Sequence, residues 1–529
     1  MVAQVSIQTL LSEVDEGSNV AEQIDERLSQ ELIFALVGPV GSGVSTAASM
    51  LYDALSTEFN YEVAPIIKLS DIIKTEAHRV SATPAARDHL DDYIETMQKI
   101  GNELRRKYGP FYLTEKVVER ICKIREDKGG YDAKGIQAPG RRAFILDSLK
   151  NAEELTLLKR IYGETLIVVG VFAPDAMRQT RLANDGVDAG RVKAIVDRDQ
   201  GEVTTFGQMT RKIFQKADLF LCNDQRKEEM KQKITRFLHL VFDTGVHTPS
   251  RAESAMYEAS SSAANAACMS RQVGAAIVSA DGELIAVGWN DVPKFGGGLY
   301  GEDDRAVHDK DGTHDHDYRC YNWGKKICHN EIRRNEILEK MVKNIAGAEL
   351  LREGVTADAV RAALKGTGVD SLIEFSRSIH AEMEAILSVA REGKNSLVGA
   401  TLFTNTYPCH NCARHIVAAG ITTVIYIEPY LKSLAIALHS DAITEDATEP
   451  DKVVFRQYDG VAPSNYVRLF RPASDRKKDG RLARPDPKTA MPVFRILLDA
   501  QSDYEYKIIA DLSDKEQNSV TPTISVMPT

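Results

Sequence analysis

Ser378-Ile379-His380-Ala381-Glu382, read together with Tyr407-Pro408-Cys409-His410-Asn411-Cys412, decides how the second half of this chain folds. One imidazole and two thiolates offer three ligands to a zinc ion (Zn²⁺). The fourth tetrahedral position then stays open, as in a catalytic and not a structural site. Zinc lowers the pKa of a water there towards ~7. Glu382 lies two residues after His380, near enough to move protons at such a site without being a ligand. Cys409 and Cys412 are i and i+3, so at a helix start both sulfurs face one way. Pro408 suits a helix entrance, and the positive end of the helix dipole favours thiolate over thiol. Ala413 to Gly420 continue that helix, with Gly420 as its stop. Ala381 to Leu387 read as a second helix carrying His380 near its start. Two helix N-termini therefore converge on one metal. A closed, structural site would need a fourth ligand, for which His410 and His415 are the candidates.

H-x-E alone is a weak signal, and C-x-x-C alone could be a redox pair or half a zinc ribbon. Together, with Pro408 in place and 27 positions from Glu382 to Cys409, they form the H-x-E…P-C-x-x-C signature of zinc-dependent nucleobase deaminases. Upstream, a small-residue helix is expected over Glu253–Met269. A strand follows over Ser270–Val278, then a turn at Asp281-Gly282 and a partner strand over Leu284–Pro293. Helix, strand, strand bearing Gly288-Trp289-Asn290, then the two zinc motifs: this order resembles the cytidine deaminase superfamily, and most nearly its deoxycytidylate deaminase branch. The resemblance implies that Asn290 meets the substrate sugar and that Arg271 lies near its phosphate. Ala381 is counted with them as substrate-binding.

Asn290 and His380 are 90 positions apart, so an insertion is expected over about 295–375. After Gly296-Gly297-Gly298 it carries His308, His314, His316, Cys320, Cys328 and His329. That density of Cys and His suggests a second, structural zinc, which related deoxycytidylate deaminases often carry there. The plainer reading is a polar loop over the substrate, followed by inserted helices across 331–378. Thr423–Glu428 reads as a further strand, with Val453–Val461 beside it. Ser474–Pro492 reads as a linker, Val493–Ile508 as a final hairpin and Ser513 onwards as a polar tail.

The first half opens with a polar leader, residues 1–29. Leu32–Val37 reads as a buried strand that runs into Gly38-Pro39-Val40-Gly41-Ser42-Gly43-Val44-Ser45-Thr46 and then a helix from Ala47. Strand, glycine-rich loop and helix make the context of a P-loop. The loop amides and the helix dipole cradle phosphate, which makes Gly38, Gly41, Ser42, Gly43, Val44, Ser45 and Thr46 candidate nucleotide-binding residues. The pattern departs at Val44, where the loop lysine would stand. Phosphate binding still fits; phosphoryl transfer fits poorly, because the β- and γ-phosphates lose a cation. Lys68 and Lys74 are the substitutes considered. Strands are expected over Val63–Leu69, Arg142–Ser148, Leu166–Phe172 and Ala217–Asn223, and Asp147 ends the second of these as a partner for Mg²⁺ would. Alternating strands and helices predict a doubly wound α/β parallel sheet. Over roughly 30–245 the order resembles the nucleoside-monophosphate and deoxynucleoside kinase branch of P-loop folds.

The expected organisation is thus a leader (1–29), a P-loop nucleotide-kinase-like domain (30–245), a cytidine deaminase-like α/β/α domain (250–472) and a C-terminal segment (473–529). A chain of 529 residues exceeds one core. Its 43% hydrophobic and 27% charged residues are those of an ordinary globular protein. The net charge of −10 opposes a broad, non-specific grip on nucleic acid. Seven scattered cysteines, two of them assigned to zinc, fit a reducing cytoplasm and not a disulfide framework. Neither a secretory signal nor a membrane span is expected.

The fusion as a whole is similar to the bacterial anti-phage deoxycytidine nucleotide deaminases. That resemblance implies hydrolytic deamination of dCTP and/or dCMP to deoxyuridine nucleotides and ammonia, with Glu382 carrying the protons. It also implies control by the P-loop domain, a nucleotide effector there (with Mg²⁺), a small-RNA inhibitor, and a homo-oligomer for which a hexamer is the expected size. The alternative is a cytidine deaminase of RNA or single-stranded DNA, which needs a basic groove with stacking aromatics. A nucleotide sensor with vestigial catalysis conflicts with the intact zinc motifs, and a true kinase fused to a deaminase needs a replacement for the missing lysine.

Overall fold

Leu32–Val37 is an unbroken apolar run, and it forms strand β1 with all six side chains buried, as expected of a central strand covered on both faces. In this computed structural model, residues 24–518 are described, except 88, 133–134, 136, 201–206, 225–226, 306, 310–311, 349–350, 365–366 and 430–432. Most of the expected leader (1–23) and the end of the expected tail (519–529) lie outside the described residues. The chain forms two compact units, Met1–His247 with Val467–Thr529 and Thr248–Tyr466.

In the first unit β1 runs into the glycine loop and helix α1 (Val44–Thr57). β2 (Glu62–Val63), β3 (Ile67–Lys68), β4 (Arg142–Asp147), β5 (Leu166–Phe172) and β6 (Leu219–Cys222) complete a parallel sheet in the order β6-β5-β1-β4, with β2 and β3 both paired to β4. The single strand expected over Val63–Leu69 is therefore two short pieces. Pro65 lies between them and has no N–H to give to a ladder. Leu69 already belongs to helix α2 (Leu69–Glu76). Helices α3 (Leu90–Tyr108), α4 (Tyr112–Asp127), α5 (Ala152–Tyr162), α6 (Asp175–Asn184), α7 (Ala189–Gln200) and α8 (Lys227–Val241) make up the rest of the alternation.

The hairpin expected over Val493–Ile508 is corrected by the structure. Leu498–Asn518 is one helix. Its buried residues, Leu498, Gln501, Glu505 and Leu512, recur at helical spacing, and strand alternation would not bury that set together. Leu512 packs with Tyr112 and Leu113 of α4. Glu505 meets Arg125, a fully buried guanidinium that also holds Glu31 at 2.9 Å. A buried cation is costly without partners, so this triad fixes the C-terminal helix on the first unit, an arrangement with no local trace in the sequence.

The second unit opens with α9 (Arg251–Ser262), capped by Ser250 and Glu253 in a reciprocal box. It is shorter than the Glu253–Met269 helix expected and starts two residues earlier, because after Ser262 the chain tightens into a 3₁₀ turn. β7 (Gly274–Val278) and β8 (Leu284–Trp289) are antiparallel, joined by a turn at Gly282 with φ 90°. The insertion supplies α10 (His329–Gly347) and α11 (Ala357–Leu364). Then come α12 (Ala381–Glu392), β9 (Thr401–Thr406), α13 (His410–Ala418), β10 (Thr423–Glu428), β11 (Ile443–Thr444) and β12 (Val453–Gln457). The sheet runs β11-β12-β10-β9-β7-β8, parallel from β11 to β9 and antiparallel onwards. Gly420, at φ 78°, stops the zinc-motif helix α13 as expected. Among the described residues no helix is long and apolar enough to cross a membrane.

Candidate active site

His380 is the N-cap of α12 and Cys409 the N-cap of α13, both with extended backbone. Each sequence motif thus sits where a chain in strand-like geometry turns into a helix, with free N–H groups and the positive dipole end beside it. Cys412 lies one turn inside α13. His380 Nδ1 is 3.3 Å from both Cys409 Sγ and Cys412 Sγ. These ligand atoms all fall within 4.8 Å of one another, and among the described residues this is the one metal-competent group of three. The donor set, one imidazole and two sulfurs drawn tightly together, fits zinc with three protein ligands. His415 is not part of it: its Nδ1 lies 2.7 Å from the carbonyl oxygen of Asn411, in its own helix.

Electrostatics in the cluster follow from burial and mutual hydrogen bonding. The bond from Cys412, with help from His380, pulls the Cys409 thiol down to about 4. The same bond, with burial, pushes Cys412 up. Burial opposes charge on His380, yet the bond to Cys409 and the charge of Glu382 raise it to about 9. Glu382, 4% exposed, is held above the ordinary carboxylate range by burial, with His380 pulling the other way.

β8 sets the position of α12. Gly288 faces the first turn of the helix so closely that a Cβ there would come within 2.4 Å of the Ala381 carbonyl oxygen and 2.5 Å of the Ala385 nitrogen. Just beyond β8, the Asp291 carbonyl accepts the N–H of Ile379 at 2.9 Å, which pins the residue before His380. Gly288→Ala is therefore expected to destabilise the second unit by about 1–3 kcal/mol, since only backbone could give way. It should also weaken zinc binding, because α12 carries both His380 and Glu382. Thermal melting and zinc titration check this, and an unchanged melting temperature would contradict the contact.

His380, Glu382 and Cys409 open on a cavity of about 210 Å³. Asn290 and Arg271 line it too. Asn290 is 7% exposed; its Oδ1 accepts the N–H of Val273 at 2.7 Å and its Nδ2 donates to the Arg271 carbonyl at 2.8 Å. It thereby braces the strand entrance as well as facing the cavity. Arg271 is ion-paired with Glu428 at the end of β10. Ala381 is fully buried in the core of the unit.

Residues 249–428 match the family model described as the cytidine and deoxycytidylate deaminase zinc-binding region. A deoxycytidylate deaminase of Enterobacteria phage T2 is 46% identical over 55 residues, which is 10% of this chain and 29% of that protein. The chain thus spans under a third of the length of that relative. A UPF0200 protein of Saccharolobus islandicus is 22% identical over 216 residues, 40% of this chain and 95% of that protein. Among solved structures, the dCMP deaminase of cyanophage S-TIM5 in complex with dCMP and dUMP is 19% identical, covering 40% of this chain and 99% of that one, at a TM-score of 0.22. The match to the zinc-binding region of cytidine and deoxycytidylate deaminases thus falls within the second unit.

The second cluster proposed from sequence is only partly assembled. Cys320 Sγ and His329 Nδ1 are 3.7 Å apart, while His314 and His316 stand exposed with ring centroids 6.1 Å apart. Cys328 caps α10, and the His308 side chain lies outside the described residues. No third ligand joins Cys320 and His329 among the described residues. Sequence reasoning missed Cys268, and also Asn330, Ile373 and Ser376, all of which line the cavity. Asn330 Oδ1 is buried there without a partner, while its Nδ2 donates to the Leu372 carbonyl at 2.9 Å. The insertion thus forms one wall of the site.

Proposed function

We propose that the second unit is a zinc-dependent hydrolytic deaminase of deoxycytidine nucleotides, dCMP and/or dCTP. The observation that carries this reading is the buried carboxylate of Glu382 lining one cavity with His380 and Cys409, while Cys412 completes the ligand group directly behind them. His380, Cys409 and Cys412 would hold zinc, which supplies Lewis acidity that readies water for attack at neutral pH. Glu382 accepts the proton that water loses as its oxygen adds to C4 of cytosine. It passes that proton to N3, then carries the second proton to the amine as the C4–N4 bond breaks, so cytosine and water leave as uracil and ammonia. Its raised proton affinity suits a group that must both take and give. Asn330 of α10 and Ile373, Ser376 and Ser378 line the cavity in which these transfers take place.

The test is product analysis by mass. Zinc-loaded protein is incubated with dCMP, dCTP, CMP, CTP and a cytidine-containing single strand. Conversion of the free deoxynucleotides is expected; conversion of the polymer alone would overturn the reading in favour of nucleic-acid editing.

In this reading Arg271 exchanges its bond to Glu428 for the substrate phosphate. A hydrogen bond to a charged group contributes about 1.5–3 kcal/mol, so Arg271→Ala is expected to raise KM for nucleotides by about tenfold or more. KM for unphosphorylated deoxycytidine should hardly move, and an equal rise for both would remove the phosphate role. The reading extends to a homo-oligomer that drains the deoxycytidine nucleotide pool in anti-phage defence, regulated through the first unit. There a nucleotide would bind at the glycine loop, and Ser45 and Asp147, whose Oγ and Oδ2 are hydrogen-bonded at 2.7 Å, would hold its Mg²⁺.

A further inference from the structure

We propose that Lys150 supplies the ammonium that the glycine loop lacks at Val44, so that the first unit takes the polyphosphate of a nucleoside triphosphate; this rests on the reading of the loop as a nucleotide site. Lys150 lies three residues beyond Asp147 and the end of β4. Its Nζ is 2.9 Å from the carbonyl oxygen of Gly38, the first residue of the loop. The same Nζ is 2.8 Å from Asp199 Oδ1. Asp199, on α7 and 1% exposed, turns its other oxygen to the loop and accepts the N–H of Val40 at 3.0 Å. One carboxylate thus bridges a loop amide and an ammonium, which is the donor pair a phosphate oxygen takes in such a loop. Ser42, inside the loop and fully buried, has an Oγ with no partner. Gly41 and Gly43 hold the loop open at φ 81° and 86°.

The other cations near the loop do different work. Arg178 donates to the carbonyl of Val40 at 3.3 Å, and Arg181 to those of Gly41 and Asn223 at 3.2 and 2.7 Å. Both donate to carbonyl oxygens, as Lys150 does at Gly38, but the anion that Arg178 meets, Asp175, is exposed. Of the substitutes considered from sequence, Lys74 is paired with Asp71 at 3.2 Å and stands over the ring of Tyr93, while Lys68 is exposed on β3. Lys150 alone among these contacts both the loop and a buried anion on its amide side. Asp199 then plays the part of an internal anion. An incoming phosphate takes over its contacts with Val40 and Lys150, and the two negative groups compete for one place.

Isothermal titration of the full, zinc-loaded chain with MgATP, MgGTP and inorganic tripolyphosphate tests this, since none of these probes is a cytosine nucleotide. The wild-type chain is expected to bind at least one of them. Lys150→Met should weaken that binding at least tenfold, and adding Val44→Lys to the same variant should restore it, which a merely structural lysine would not allow. Asp199→Asn should bind more tightly than wild type. If none of the probes binds the wild-type chain, the nucleotide reading of the loop itself falls. If wild type binds and Lys150→Met binds equally well, the loop reading stands and the role of Lys150 is overturned. Should Lys150→Met fail to fold, Asp199→Asn carries the test: tighter binding supports the exchange, and unchanged or weaker binding overturns it.

Discussion

Glu382→Gln is expected to lower kcat by about 10³-fold while the protein keeps its zinc, the loss typical of removing a general acid–base group. The glutamine has nearly the same shape, so it preserves the packing of a residue that is 4% exposed in the first turn of α12. It cannot carry a proton. The distinction matters because the charge of Glu382 raises the proton affinity of His380, so a purely electrostatic or positioning role is a real competitor. A positioning role predicts that the glutamine variant holds zinc poorly and recovers rate when zinc is added in excess. A proton-carrying role predicts full zinc by elemental analysis, unchanged substrate binding, and a rate that added zinc does not restore. Glu382→Ala should be equally slow. A glutamine variant within tenfold of wild type would remove Glu382 from the chemistry.

What could be read from the sequence, and what could not, divides by the range of the interactions involved. His380, Glu382, Cys409 and Cys412 were legible because the chemistry is written locally: the spacing of the cysteines and the helix starts put the ligands on short, predictable arcs. Bringing the two motifs together needed only the sheet order of an α/β fold. The strands β1, β4, β5 and β6 were legible for the same reason, as continuous apolar runs. Lys150 was not, because nothing near it in sequence says that its ammonium meets Gly38, 112 residues away. Asn330 and Cys268 reach the cavity through tertiary packing of the insertion and of the loop after α9, where no period or spacing helps. The C-terminal segment misled for a related reason. Val493 to Leu498 is apolar apart from Arg495 and strand-like, while the helix that follows buries Gln501 and Glu505; Gln501 donates to Glu505, whose partner Arg125 is 380 positions away. A local reading scores such residues as exposed.

Cys412→Ala should remove the metal and with it all turnover, which makes it the sharpest test of the ligand set. Apparent zinc affinities of closed four-ligand sites are about 10–16 kcal/mol, or roughly 3 kcal/mol for each ligand if divided evenly. Loss of one of only three protein ligands should then weaken binding by at least about 10²-fold. Cys412 is completely buried in the core behind the site, and alanine there deletes a single sulfur atom. The second unit should therefore still fold, and loss of metal can be told apart from loss of structure. Zinc that binds only the folded form raises its stability by an amount set by the ratio of free zinc to Kd. In wild type, added zinc should raise the melting temperature of the second unit and a chelator should lower it. In Cys412→Ala the melting temperature should stay near that of chelated wild type at every zinc concentration tested. His415→Ala is the matched control on the same helix. Its ring bonds the Asn411 carbonyl and lies outside the ligand group, so this variant should keep both zinc and the zinc-dependent rise. A Cys412→Ala variant that retained stoichiometric zinc and melted like the zinc-loaded wild type would mean that the metal is held by other groups. The proton path assigned to Glu382 would then lose its anchor as well, because that path depends on the metal being held beside α12.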